Sequence, residues 1–349
     1  MPKEKLYMDA TIREKYRNFT IIDMHSHFLI NAFLLKKSFF KRETPTTFWN
    51  PLKNMYDFHR AREGGVKGIT FDIYVPYFPS IFAGRMGGVR EFIKTYHNMI
   101  QESGGKMVHC TTAEEVQRAI NNNTLAGMLA IEGGNVIEKN LENLYELKRY
   151  GVRRITLVHF LTTHIGDAVY GRRVYGGLSD FGKQMVKLMQ RLGILVDLAH
   201  ATDETFFDAV RITDGPIISS HTGARKFKPG DIRGLSDEQL TAIRDTKGIA
   251  GVILFPWYLK KMKVFCKLDL VIDHICYIAE KIGVDYVGIG SDMDSNIWLP
   301  LDFKDASYFP LIPYHLEKRG FTREEIDKIM GLNYIRVLQS TDDRFRKEN

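Results

Sequence analysis

The sequence predicts an α/β protein built as a (β/α)8 TIM barrel, and three observations carry that reading. Eight short, apolar, β-rich runs recur along the 349 residues, each followed by a segment of helical pattern. Six of the eight runs lead within two residues into a histidine or a carboxylate. No Gly-x-Gly-x-x-Gly follows the first run, which argues against the dinucleotide-binding form of the alternative, a doubly wound open sheet.

The strand candidates are Thr20–Met24, Gly68–Val75, Gly127–Ile131, Arg154–Val158, Ile194–Leu198, Pro216–Ser220, Ile249–Leu254 and Tyr286–Gly290. Between them, Asp180–Leu192 sets Phe181, Met185, Leu188 and Met189 on one helical face. Ser236 with Gln239 forms a capping box that opens a helix to Thr246, and Thr322 with Glu325 opens another. No linker or internal repeat divides the chain. One barrel domain is therefore expected over 1–349, with an N-terminal arm (1–19) and a C-terminal tail (338–349). The aromatic-rich segment Phe28–Arg62 is long for a first connection and is expected to add a lid, one wall of a pocket, or extra packing.

Composition is that of an ordinary globular chain, 44% apolar with a formal net charge of +7. The positive charge is dispersed, and its densest runs, Lys260–Lys263 and Arg344–Lys347, are short. They read as solvated surface, so no nucleic-acid partner is expected. Cys110, Cys266 and Cys276 are an odd, sparse set with no CxxC spacing, which argues against a disulfide framework or a thiolate zinc site. Met1–Thr20 carries charges without an apolar centre, so no secretory signal is expected. No apolar run reaches the roughly 18 residues of a membrane span. The expected location is the cytoplasm, away from any membrane.

In a TIM barrel the C-terminal strand ends converge on the active site. Here those ends carry His25-Ser26-His27, Glu132, His159, His200, His221 and Ser291-Asp292-Met293-Asp294. Each has a mundane alternative: a hydrogen-bonded structural histidine, a Glu132–arginine pair, Asp292 as a helix N-cap. Gathering them all at one barrel mouth is costly unless an ion or a reaction organises them. On an extended strand His25 and His27 project to one face and can reach one ion. Imidazole and carboxylate ligands suit zinc, with manganese, cobalt or iron as alternatives. A central Glu132 can bridge two divalent ions about 3.5–4 Å apart that share and acidify a water. The other histidines (His59, His97, His109, His164, His274, His315) are expected to be structural or on the surface.

These segments resemble the membrane (renal) dipeptidase family, peptidase family M19, within the amidohydrolase-like metal barrels. The resemblance runs from Ile22-Asp23-Met24-His25 through Ile131-Glu132-Gly133-Gly134 and Thr156-Leu157-Val158-His159. It continues in Asp197-Leu198-Ala199-His200, Ser219-Ser220-His221 and Gly290-Ser291-Asp292-Met293-Asp294, and ends near Val337. It implies a binuclear zinc dipeptidase acting on dipeptides with a free C-terminal carboxylate and tolerating a D-residue there. Glu132 would bridge the ions, with His200 and His221 on one and the His25–His27 pair on the other. Asp292 would move the proton from the attacking water to the leaving amine, and His159 would stabilise the oxyanion. Arg233 would clamp the carboxylate with Tyr258 beside it, against the alternatives of a surface loop arginine and of Tyr258 packing on Trp257. A homodimer is implied as well. The family usually has His-x-Asp where this chain has His25-Ser26-His27, which makes the site more cationic and bears on substrate and metal preference. The rival readings are a TatD-like nuclease, a lactonase, deaminase or amidase, or a binding barrel without activity.

Overall fold

A computed structural model describes residues 8–42, 54–76, 83–260 and 265–348. Parts of the N-terminal arm, of the Phe28–Arg62 connection and of the Lys260–Lys263 run lie outside the described residues. The strands are β1 (Ile21–Ser26), β2 (Val66–Ile73), β3 (Met107–His109), β4 (Leu125–Glu132), β5 (Val152–Thr156), β6 (Leu195–Asp197), β7 (Ile217–Thr222), β8 (Ile249–Val252) and β9 (Val287–Ile289). All pairings are parallel, in the order β1-β2-β4-β5-β6-β7-β8-β9. These eight strands correspond to the eight runs read from the sequence, and they curl into a nearly closed barrel flanked by helices.

β3 is an addition the sequence reading lacks. It pairs Met107–His109 with Leu125–Gly127, while β5 pairs with Leu129–Glu132 further along. A three-residue run is too short to show a period-2 pattern.

Closure occurs where the chemistry lies. Ser26 bridges Met293, the His27 amide donates to the Met293 carbonyl (2.9 Å) and the Asp292 amide donates to the His25 carbonyl (3.0 Å). A Cβ on Gly290 would collide with the Ser220 carbonyl, so only glycine lets this segment run so close to the end of β7. The β1–β2 register also shifts between Asp23 and Ser26, an irregularity of the kind that re-aims side chains beside active sites.

The capping boxes at Ser236–Gln239 and Thr322–Glu325 are both formed. Residues 338–348 continue the last helix, Asn333–Glu348, and its buried Asp342 pairs with Arg153 of β5 at 2.5 Å. No helix among the described residues is long and apolar enough to cross a membrane.

His274, on the helix Asp269–Ile282, fastens the segments that follow β7 and β8. Its Nδ1 accepts from the Ala224 amide (2.9 Å), and its Nε2 meets the Leu259 carbonyl (3.1 Å). Only a neutral ring satisfies both partners, and burial pushes its pKa down to about 4. An unfolded histidine titrates near 6.5, so the unfolded chain binds a proton first as pH falls. Stability is then lost between about pH 6.5 and 4, by about 3 kcal/mol. Urea unfolding at pH 7.5 and 4.5 should show this loss, and His274→Gln should flatten it. An unchanged slope in the variant would refute the assignment.

Candidate metal centre and active site

The five metal-ligand candidates and both catalytic candidates meet at the C-terminal mouth of the barrel. Glu132 at the end of β4 lies at the centre. Its Oε2 faces His27 Nε2 (3.3 Å) and His159 Nε2 (3.4 Å). Its Oε1 faces His200 Nε2 (3.2 Å), His221 Nε2 (3.4 Å) and His25 Nε2 (3.6 Å). Asp292 Oδ1 is 3.3 Å from His27 and 3.6 Å from His25. All seven side chains are buried.

The donor set fits divalent ions. His25 and His27 bring their Nε2 atoms to 2.9 Å, and so do His200 and His221. That separation suits either one N–H···N hydrogen bond or an ion shared by the two nitrogens. Two ligand atoms each about 2.0–2.1 Å from one ion at a near-right angle stand about 2.9 Å apart. Nδ1 of His27, His159 and His200 is buried and has no hydrogen-bond partner among the described residues, whereas each Nε2 turns toward Glu132. Overlapping groups able to hold an ion are His25, His27 and Glu132; His25, His221 and Asp292; and Glu132, His159 and His200.

Electrostatics agree. Burial alone would push Glu132 up, but His159, His200 and His27 outweigh it and hold the carboxyl well below the usual range. Burial keeps His25, His200 and His221 neutral, with lone pairs free for coordination. Burial opposes charge on His27 too, yet Asp292 and Glu132 raise its pKa well above normal. Positive charge is therefore favoured where the two carboxylates converge. His200, Asp292 and Asp294 have left-handed backbones (φ +66°, +59° and +66°), the kind of local strain that clusters at functional sites.

Beneath the cluster lies a layer absent from the sequence reading. Arg154 of β5 is fully buried, bonding Asp72 (2.7 Å), Asp197 (2.5 Å) and the Met24 carbonyl (3.0 Å), with His25 Nδ1 alongside at 3.3 Å. Asp72 Oδ2 stands 3.3 Å from His25 Nδ1, and Ser220 Oγ 2.9 Å from His221 Nδ1. Such partners fix which ring nitrogen faces the metal. The available signal was charge placed inside strand runs: Arg154, Asp72 and Asp197.

The substrate-side candidates depart from their mundane alternatives. Arg233 is not a surface arginine but 3% exposed, donating to the His221 carbonyl (2.8 Å). Tyr258 is not stacked on Trp257; its ring lies under the Arg233 guanidinium (4.9 Å) and edge-on to Phe255 (5.1 Å). Trp257 contacts Trp298 instead. Glu132 has no arginine partner among the described ion pairs, and Asp292 caps no helix. A cavity of about 470 Å³ opens onto Glu132, His27, His159, His200 and Asp292.

Barrel, converging imidazoles and central carboxylate define a metal-dependent hydrolase with room for two divalent ions. The family profile described as membrane dipeptidase, peptidase family M19, matches residues 10–349, and the chain belongs to that family. It is accordingly a metal-dependent hydrolase acting on peptide bonds, of dipeptidase type. Among similar proteins, dipeptidase tcpJ of Claviceps purpurea is 27% identical over 82% of this chain and 69% of its own. Dipeptidase ataJ of Aspergillus terreus is 29% identical over 82% and 77%. In fold, the chain is similar to the probable dipeptidase PvdM from Pseudomonas aeruginosa (TM-score 0.85, 18% identity, covering 96% and 98% of the two chains). A Rhodobacter sphaeroides metallopeptidase, solved with a phosphinate mimic of L-Ala-D-Ala, gives TM-score 0.82 at 23% identity over 93% and 99%.

Proposed function

We propose that this chain hydrolyses free dipeptides, with Arg233 and Tyr258 receiving the C-terminal carboxylate and two zinc ions in the cluster. One observation carries the substrate reading. Arg233 is buried, its Nε has no partner, and no carboxylate among the described residues neutralises it. A buried cation left without a counter-charge is costly, and a guanidinium fork matches a carboxylate. The R. sphaeroides relative, held with its L-Ala-D-Ala mimic, supports tolerance of a D-residue at the C-terminal position.

Glu132, His25, His27, His200 and His221 would hold the ions, which supply Lewis acidity toward the scissile carbonyl and a lowered water pKa. Arg233 and Tyr258 orient the substrate so that this carbonyl faces His159. His159 Nε2 then stabilises negative charge developing on the carbonyl oxygen. As water adds to the carbonyl carbon, Asp292 accepts its proton. Asp292 returns that proton to the nitrogen as the C–N bond breaks, releasing two amino acids. The three cysteines are free, in keeping with a reducing, cytoplasmic setting.

The test is bound-metal analysis followed by assays of L-Xaa-L-Xaa and L-Xaa-D-Xaa dipeptides beside single-stranded DNA. Peptide turnover is expected, and Arg233→Ala should raise KM for free dipeptides by roughly ten- to a hundredfold, the loss of a charge-assisted bidentate contact. DNA cleavage without peptide turnover overturns the reading. An unchanged KM in the variant overturns the carboxylate role.

A further inference from the structure

Beyond the reactive centre, the cavity has an apolar side. The helix Phe28–Leu35, which begins at His27, is apolar at every position but Asn31. A helix of that composition is normally covered on all sides. Here Leu34 is 52% exposed and Leu35 37%, and both line the cavity with Ile30. Tyr74 and Pro76 after β2, with Phe92, continue the same surface. Phe92 is itself backed by Phe33 (4.7 Å), so the wall has a packed foundation.

Its place in the barrel gives it a direction. Arg233 and Tyr258 follow β7 and β8, whereas this wall follows β1 and β2. In the strand order β1-β2-β4-β5-β6-β7-β8-β9, β2, which leads to Tyr74 and Pro76, lies four strands from β7, and β1, which leads to Ile30 and Leu34, lies three from it across the closure. Glu132 and the imidazoles stand between. A dipeptide whose carboxylate rests on Arg233, with its scissile bond over the cluster, extends its amino-terminal residue toward the wall.

We infer that the Ile30–Leu34–Tyr74–Phe92 wall is a specificity pocket for a bulky apolar side chain on the amino-terminal residue, making the substrate class dipeptides that begin with a large aliphatic or aromatic residue. This rests on the dipeptidase reading above. The cavity of about 470 Å³ leaves space a glycine side would not fill, and each apolar group removed from water on that surface favours binding. Full burial of a Leu- or Phe-sized side chain corresponds to roughly a tenfold to hundredfold gain in kcat/KM over glycine.

The metal-loaded enzyme is assayed with Gly-Ala, Ala-Ala, Leu-Ala and Phe-Ala, and with the reversed series Ala-Gly to Ala-Phe. A rise of roughly tenfold or more from Gly-Ala to Leu-Ala or Phe-Ala is expected, exceeding the rise in the reversed series. Leu34→Asp, at an exposed position that folding tolerates, should cut the Phe-Ala to Gly-Ala ratio several-fold. Leu34→Met should keep it. A flat first series, a steeper reversed series, or a ratio untouched by Leu34→Asp overturns the inference and leaves the dipeptidase reading standing. Turnover of none of these dipeptides overturns both.

Discussion

Asp292→Asn is expected to lower kcat by roughly 100- to 10,000-fold while metal content and KM stay close to those of the parent chain. The substitution keeps shape but removes the negative charge and with it the ability to take a proton. It suits the backbone too, because Asn is among the residues that tolerate positive φ, and Asp292 sits at +59°. The carboxylate faces the cavity and lies 3.3 Å from His27 Nε2. It also stands with His25 and His221 in one of the groups able to hold an ion. Elemental analysis separates the two roles. Activity lost with metal retained marks a proton carrier, whereas parallel loss of one ion would make Asp292 chiefly a ligand and refute the assignment.

Arg154→Leu is expected to cost about 3–5 kcal/mol of stability, because it strands two buried carboxylates. Arg154 is fully buried between Asp72 and Asp197, and burial pushes the Asp72 carboxyl up while Arg154 opposes that push. The guanidinium ties β5 to β2 and β6, and through the Met24 carbonyl to β1. It also borders His25 Nδ1, so metal affinity should fall roughly 10- to 100-fold in any variant that still folds. Arg154→Lys retains the charge but not the fork, and should give an intermediate loss measurable by denaturant titration and metal competition. A leucine variant within about 0.5 kcal/mol of the parent, a size ordinary for surface substitutions, would refute the structural role.

The substitution of imidazole for carboxylate at His27 takes on a definite meaning in three dimensions. His27 reaches the cluster and sits between Glu132 and Asp292, whose charges favour a cation there. The loss of one negative charge is thus set against two remaining carboxylates. The same residue opens the apolar helix that lines the cavity, so the departure from the family pattern adjoins the surface proposed to select substrate.

How far the site was legible follows from what each residue reports locally. His25, Glu132, His159, His200, His221 and Asp292 were readable because each terminates a β-rich run, and strand ends of a parallel barrel share one rim. Arg154, Asp72 and Asp197 were overlooked because a charge inside a strand has no one-dimensional sign of its partner: Asp72 and Arg154 are 82 residues apart. β3 escaped for lack of length. Arg233 was legible as a candidate, but its burial was not, since a loop arginine looks the same in sequence whether solvated or enclosed.

The sequence by itself determined the architecture and the chemistry of the centre. Strand–helix alternation admits few closed solutions, and strand-end residue types survive any detail of packing. Only the tertiary structure decided what surrounds that centre: the Arg154 layer beneath it, the buried Arg233 over Tyr258, and the apolar wall that Leu34 adds to the cavity. These are relations between residues brought together by barrel closure. Burial, charge pairing and cavity shape exist only once distant segments exclude water from one another.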